Sequence, residues 1–171
     1  MRWVFRHTIR GQEHFPQHGP FIVTPNHLSL LDALAVAAAL PTQHLPHTYW
    51  GGWTGMLFTN WFMQLVSRAA HVVPIDPQRG SLSNLAFAVA ALMQSHNLVW
   101  FPEGARSRTG KLQHFRPGIG LILQVHPVPV VPTWITGSAE ALPPGQWRVR
   151  RHLISVTFGE MADAKTLEQQ G

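Results

Sequence analysis

Cysteine is missing from this chain altogether. That excludes disulfides, thiolate catalysis and cysteine-ligated metals. Charge is scarce: Asp, Glu, Lys and Arg make up 12% of the residues, well below the roughly 25% usual for soluble domains. So few charges leave a face for lipid, a partner domain or an acyl chain. Long apolar runs are missing too. No stretch reaches the roughly 18 uninterrupted apolar residues of a membrane span, and the start, MRWVFRHTIRG, offers no apolar core of a signal peptide. Nucleotide fingerprints fail as well. Gly104 to Gly110 is one residue too long for a P-loop and Leu112 follows Lys111, while Gly118-Ile119-Gly120 lacks the third glycine of a dinucleotide-binding turn. No G-x-S-x-G elbow presents a nucleophilic serine.

What is present fits one domain spanning residues 1–171. Thirteen Lys and Arg face eight Asp and Glu, giving a formal net charge of +5. A basic surface attracts nucleic acid, anionic membrane or phosphorylated metabolites. Most of the cations are Arg, which suits bidentate phosphate contacts. They are scattered, and the aromatics are not interleaved with them, so no nucleic-acid partner is expected. The short run Arg148, Arg150, Arg151 fits either phospholipid headgroups or a solvated strand edge.

Along the chain, strand-like and helix-like segments alternate. Residues 3–10 read as a short strand or an arm, and residues 21–26, 47–50, 71–75, 98–101, 128–133 and 153–158 read as strands. Residues 30–40, 53–68, 81–95 and 117–124 read as helices, with Ser29 placed to cap the first, and residues 162–171 as a frayed helical tail. The segment Trp50 to Val66 holds three Trp, two Phe and no charge. It reads as an apolar helix, either buried or lying at a membrane interface. The expected fold is α/β, a single-layer, mainly parallel sheet flanked by helices. Ligands of such sheets sit beyond the carboxyl ends of the strands, which directs attention to residues 26–32, 75–79 and 101–110.

The first of these loops is NHLSLLD, Asn26 to Asp32. A carboxylate at Asp32, five residues after His27, can reach back to one imidazole nitrogen. It would fix the tautomer and favour the imidazolium formed when the other nitrogen takes a proton. With no nucleophile alongside, the simplest use of the pair is to deprotonate a substrate hydroxyl. The competing reading is a structural histidine capping a helix. Two candidate ligands do not make a metal site, and no metal is expected.

The later loop, FPEGARSRTGKLQHFRPG from Phe101 to Gly118, carries Arg106, Arg108, Lys111 and Arg116. Gly104 allows a tight turn after the strand. Arg106 can hold a phosphate by two parallel hydrogen bonds, and Ser107 and backbone N–H groups can add donors. Glu103 has three possible uses: to orient Arg106, to accept from an acceptor hydroxyl, or to hold the loop by bonding backbone N–H groups.

Together, NHLSLLD at 26–32 and FPEGARS at 101–107 resemble the glycerolipid acyltransferase family, which includes the 1-acyl-glycerol-3-phosphate acyltransferases. Its marks are an N-H-x-x-x-x-D block and an F-P-E-G-T-R-S block, and only Ala105 departs from the second. A proline-containing hydrophobic strand at Val128 to Pro132 matches a further block. The resemblance covers roughly residues 10 to 160. It implies a glycerolipid acyltransferase-like fold and an O-acyltransferase in which His27 is the general base held by Asp32. It also implies an acceptor site containing Glu103, Gly104, Arg106 and Ser107, with Arg106 facing the phosphate.

By the same resemblance the donor is acyl-CoA or acyl-carrier protein, with no other cofactor. The acceptor is 1-acyl-glycerol 3-phosphate or a related lysophospholipid. In the family's intermediate block an Arg usually follows the strand directly. Here the chain departs from that block: Pro77 stands in that place, and Arg79, the candidate second phosphate ligand, comes two residues later. The stretch VVPIDP looks most like the 2-acylglycerophosphoethanolamine acyltransferase domains fused to acyl-carrier-protein synthetases, which makes that lysophospholipid the alternative acceptor. A non-catalytic lipid-binding domain of the same fold and a hydrolase using the same pair on water are the rival classes. The family's hydrophobic N-terminal helix pair has no counterpart ahead of residue 26. Membrane contact, on the cytoplasmic face, is therefore expected through Trp50 to Val66 and the basic surface.

Overall fold

The computed structural model describes residues 6–53, 61, 64, 71–75 and 81–164. The elements in chain order are β1 (Arg6–Arg10), β2 (Ile22–Pro25), α1 (Asp32–Ala39), β3 (Thr48–Trp53), β4 (Val72–Ile75), α2 (Ser81–Met93), β5 (Asn97–Val99), α3 (Gly118–Val125), β6 (Val130–Thr136), a four-residue helix Ser138–Ala141, and β7 (Leu153–Phe158). The strands form one sheet in the order β1-β7-β6-β2-β5-β3-β4. Every described pairing is parallel except β6 with β7. Those two strands are joined through residues 137–152, whose only helix is the four-residue Ser138–Ala141, and β7 returns antiparallel along β6.

Strand alternation divides the core between the two faces of the sheet. Phe21, Val23, Val99, Val131, Ile135, Val156 and Phe158 pack on one side with Ala35, Val36 and Ala39 of α1. Ile22 and Leu98 point the other way, against Leu85, Ala88 and Leu92 of α2 and Ile122 of α3. β2 is thus apolar on both faces, as a central parallel strand must be. The catalytic-type loops leave from this central region: β2 lies between β6 and β5, and the three strands are parallel, so their carboxyl ends share one edge.

Three local expectations change. Trp50 to Trp53 is not the start of a helix but the end of β3, paired with β5 and β4. Gly51 and Gly52 disfavour a helix, and two strand partners decide the matter. Trp50 packs on the α1-side core. Of residues 54–66 only Trp61 and Gln64 are described; both are helical, and Trp61 is 77% exposed. Ser29 does not cap α1. The helix starts at Asp32 with no side-chain cap, and Ser29 gives its hydroxyl to the Leu142 carbonyl at 2.7 Å. β6 begins at Val130 rather than residue 128. Residues 76–80, including Arg79, and the tail from residue 165 lie outside the described residues.

One buried side chain makes stability depend on pH. The His44 ring stacks on Phe15 at 5.8 Å and meets the edge of Phe21 at 5.0 Å. Its Nε2 has no hydrogen-bond partner. Burial first, and then the charges of His18 and His47, hold its pKa below the ordinary 6.5, against a hydrogen bond to the Pro16 backbone that works the other way. The folded protein therefore keeps His44 neutral while the unfolded chain protonates at the ordinary value. This contribution is complete above pH 6.5 and declines as pH falls from there through the folded pKa. Denaturant titrations at about pH 7.5 and about pH 5.5 should show lower stability at the acid value, with a smaller difference in His44→Leu. His7, whose pKa burial also lowers, accounts for part of what remains.

Candidate active site

The main chain leaves the sheet at Asn26, and that side chain replaces the lost strand pairing. Buried Asn26 donates through Nδ2 to the Ile135 carbonyl at 3.0 Å and accepts the Ile135 N–H through Oδ1 at 2.6 Å. The backbone is thereby free to turn outward while still tied to β6. His27 follows at the carboxyl edge of the sheet.

Asp32, the first residue of α1, is completely buried. Its Oδ2 accepts from His27 Nδ1 at 2.8 Å, from the Leu28 N–H at 2.6 Å and from the Ser29 N–H at 2.7 Å. Three donors converge on this one oxygen, which suits a carboxylate acceptor. In that arrangement Nδ1 is the donor to Asp32, and Nε2 is the ring nitrogen left to accept. The His27 side chain retains 21% exposure while Asp32 has none, so the imidazole is reachable from solvent and its partner is not. Phe101 lies against the imidazole, with ring centroids 4.1 Å apart at 29°. Asp32, two backbone amides and an aromatic face thus hold the ring in one orientation.

The second loop grips the first. Buried Glu103 accepts the His27 N–H through Oε1 at 2.6 Å, while its Oε2 accepts the Gln113 N–H at 2.9 Å and Gln113 Nε2 at 3.2 Å. Two residues past Ala105, the Ser107 N–H donates to the His27 carbonyl at 2.8 Å. Both main-chain polar groups of His27 are therefore bonded to the Phe101–Gly118 loop. Of the three uses open to Glu103, the structure shows the backbone-bonding one. Ser107 is buried, and its hydroxyl lies 3.4 Å from that of Thr109.

Arg106 is half-buried between these anchors and has no hydrogen-bond or ion-pair partner among the described residues. Gly104 has φ +71°, the left-handed region that favours glycine. A β-carbon there would meet Arg116 Cδ and Nε at 2.7 Å. Arg116 thus lies directly over the Glu103–Gly104 turn. In the sequence Arg116 is simply one of the loop's four cations. Its return to the turn is set by the Arg116 N–H donating to the Pro102 carbonyl at 2.9 Å. No group of three or more metal-type ligands occurs among the described residues.

Fold and site together define an α/β protein carrying a His–Asp pair at the carboxyl edge of a largely parallel sheet, beside a loop with three guanidinium groups, those of Arg106, Arg108 and Arg116. A family model described as Acyltransferase matches residues 6–136, and the chain belongs to the acyltransferase family. The human 1-acyl-sn-glycerol-3-phosphate acyltransferase alpha is 31% identical over 131 residues, 72% of this chain and 43% of that protein. The 1-acyl-sn-glycerol-3-phosphate acyltransferase of Limnanthes douglasii is 32% identical over 158 residues, 88% of this chain and 52% of that protein. The chain spans about half the length of these curated relatives. In fold it is similar to the crystal structure of the 1-acyl-sn-glycerophosphate (LPA) acyltransferase from Thermotoga maritima. That match has a TM-score of 0.78 at 24% identity and covers 96% of this chain and 64% of that one.

Proposed function

We propose that this chain transfers a fatty acyl group from acyl-CoA or acyl-carrier protein to a hydroxyl of 1-acyl-glycerol 3-phosphate or a related lysophospholipid. The observation that carries the reading is the buried Asp32 carboxyl bonded to Nδ1 of a solvent-reachable His27. Nε2 takes the hydroxyl proton of the acceptor, and the resulting alkoxide attacks the thioester carbonyl. The tetrahedral intermediate collapses by breaking the C–S bond, and the imidazolium returns its proton to the departing thiolate. Asp32 stays ionised throughout and stabilises the imidazolium. Backbone N–H groups near the strand ends carry the oxyanion. The relatives' names favour the glycerol phosphate acceptor over 2-acylglycerophosphoethanolamine.

Arg106 and Arg116 supply the phosphate end, with Arg79 as a further candidate. Gly104 leaves room for Arg116 over the turn, and Glu103 and Ser107 act by positioning. The acceptor is a lipid, so the reaction is placed at a membrane surface, on its cytoplasmic face. Among the described residues no helix is long and apolar enough to cross a membrane.

The test is product analysis by mass spectrometry, using the chain with 1-acyl-glycerol 3-phosphate and either donor. A diacyl product is expected. Free fatty acid formed equally with and without acceptor would instead make the protein a hydrolase. Arg106→Ala should raise the acceptor KM by about 10- to 100-fold, the worth of a charge-assisted phosphate contact, with a smaller change in kcat. An unchanged acceptor KM removes Arg106 from the phosphate site.

A further inference from the structure

The connection from β6 to β7 carries an arrangement that acyl transfer does not use. After the four-residue helix Ser138–Ala141, the Gln146 N–H bonds the Pro143 carbonyl at 3.1 Å, and Gly145 has φ +80°. Pro144 at the second corner and a left-handed glycine at the third make this a type II turn. A second tie, from the Arg150 N–H to the Ala141 carbonyl at 2.7 Å, closes the loop at its base. The side chain presented just after the turn is Trp147, which is 89% exposed. Around it stand Arg148, Val149, Arg150 and Arg151, all exposed. No carboxylate occurs between Leu142 and Phe158. Among the described residues none of these arginines is in an ion pair; only Arg150 has a side-chain partner, the Gln146 Oε1 at 3.0 Å.

Position gives the loop its meaning. It leaves the carboxyl end of β6, adjacent to β2, and the Leu142 carbonyl at its root accepts the Ser29 hydroxyl from the His27 loop. On the other side of β2, the loop after β5 shows the same chemistry. Leu112 and Phe115 are 50% and 59% exposed, among the exposed cations Arg108, Lys111 and Arg116. Two rims that each mix exposed apolar side chains with unpaired cations therefore flank the His27 site. A solvated loop has no use for a nearly bare indole, whereas a Trp among Arg side chains matches the boundary between headgroups and acyl chains.

We propose that the Trp147 loop, with the Leu112–Phe115 segment opposite, docks the site edge onto an anionic phospholipid surface. Trp147 enters the acyl boundary, and Arg148, Arg150 and Arg151 pair with headgroup phosphates. This rests on the reading of the acceptor as a membrane lipid. It adds a membrane contact at the rim of the site to the one expected of Trp50 to Val66, most of which lies outside the described residues.

The test is co-sedimentation of the chain with vesicles of phosphatidylcholine alone and of phosphatidylcholine mixed with phosphatidylglycerol, without acyl donor. Preference for the mixed vesicles is expected, weakening as salt is raised. Each Arg at an anionic surface is worth about fivefold in partitioning, so R148S/R150S/R151S should lose about a hundredfold. The lysine triple variant should keep most of the binding. Trp147→Ala should lose about tenfold, and brominated acyl chains should quench the native protein more than Trp147→Phe. The proposal is overturned by equal binding to both vesicles, by native-like binding of the serine triple variant, or by DNA binding as tight as vesicle binding at the same salt. Turnover of a short-chain acceptor free in solution reports on the active-site reading separately. A chain with no turnover can still show the docking, and a chain that turns over can still fail to dock.

Discussion

Replacing His27 by alanine is expected to lower acyl transfer by roughly a thousandfold or more, the scale of losing a general base and the acid it becomes. The fold should survive, because what places this residue is its main chain. The N–H is held by Glu103 and the carbonyl by the Ser107 N–H, and neither bond involves the imidazole. Asp32 would keep two of its three donors, the Leu28 and Ser29 amides, so the buried carboxylate is not abandoned. The loss in stability should stay near 1 kcal/mol, one hydrogen bond together with the Phe101 contact. The acceptor KM should hold, since the proposed reading assigns the phosphate end to Arg106 and Arg116. Initial rates with saturating acceptor, beside circular dichroism and a thermal melt, separate these effects. A variant that is folded and within tenfold of the native rate would rule out His27 as the base.

Glu103 and Ser107 tie His27, the proposed base, to the Phe101–Gly118 loop through its main chain. A shift of the turn at Gly104 therefore moves the imidazole with it. In the proposed reaction the phosphate and the base must stand at a set separation, and two hydrogen bonds to one residue, at the N–H and the carbonyl of His27, would maintain it. This accounts for a buried acidic residue in the middle of an otherwise basic loop.

Much of this was legible in the sequence where the governing interactions are short-ranged. The five-residue interval from His27 to Asp32 announces a strand-to-helix turn with a returning carboxylate, and that is what the structure contains. Phe21 to Val23 reads as a doubly buried strand because both faces of β2 meet helices. Other features depend on partners far along the chain. Asn26 looks like a polar stop, yet its role is set by Ile135, 109 residues away. Glu103 offered three equal uses until the fold brought His27, 76 residues earlier, onto it. Trp50 to Trp53 is ambiguous because a short apolar run suits a helix or a buried strand equally, and β5 and β4 resolve it. The run Arg148 to Arg151 is visible as charge. Its place beside the site is not, because it follows from the antiparallel return of β7 along β6.

Asp32 allows a finer prediction than His27, because two substitutions should separate charge from geometry. In Asp32→Asn the amide oxygen can occupy the Oδ2 position, where the Leu28 and Ser29 N–H groups demand an acceptor. These donors orient the amide so that His27 keeps its Nδ1 proton and the correct tautomer. What is lost is the negative charge that stabilises the imidazolium. The NH2 group would fill the site of Oδ1, which is buried without a partner, at a cost of about 1–3 kcal/mol offset in part by no longer burying a charge. The rate should therefore fall by roughly 100- to 1000-fold, less than the about 10,000-fold seen where an asparagine reverses the tautomer, with only a small drop in Tm. Asp32→Ala removes the acceptor altogether. Two amides and the Nδ1–H are left without it, the loop loses about 2–4 kcal/mol, and the rate should approach that of His27→Ala. Adding Asp32→Asn to His27→Ala should cost almost nothing further in rate, because the two act as one unit. Equal losses from Asn and Ala, or additive losses in the double variant, would show that Asp32 does not work through the imidazole.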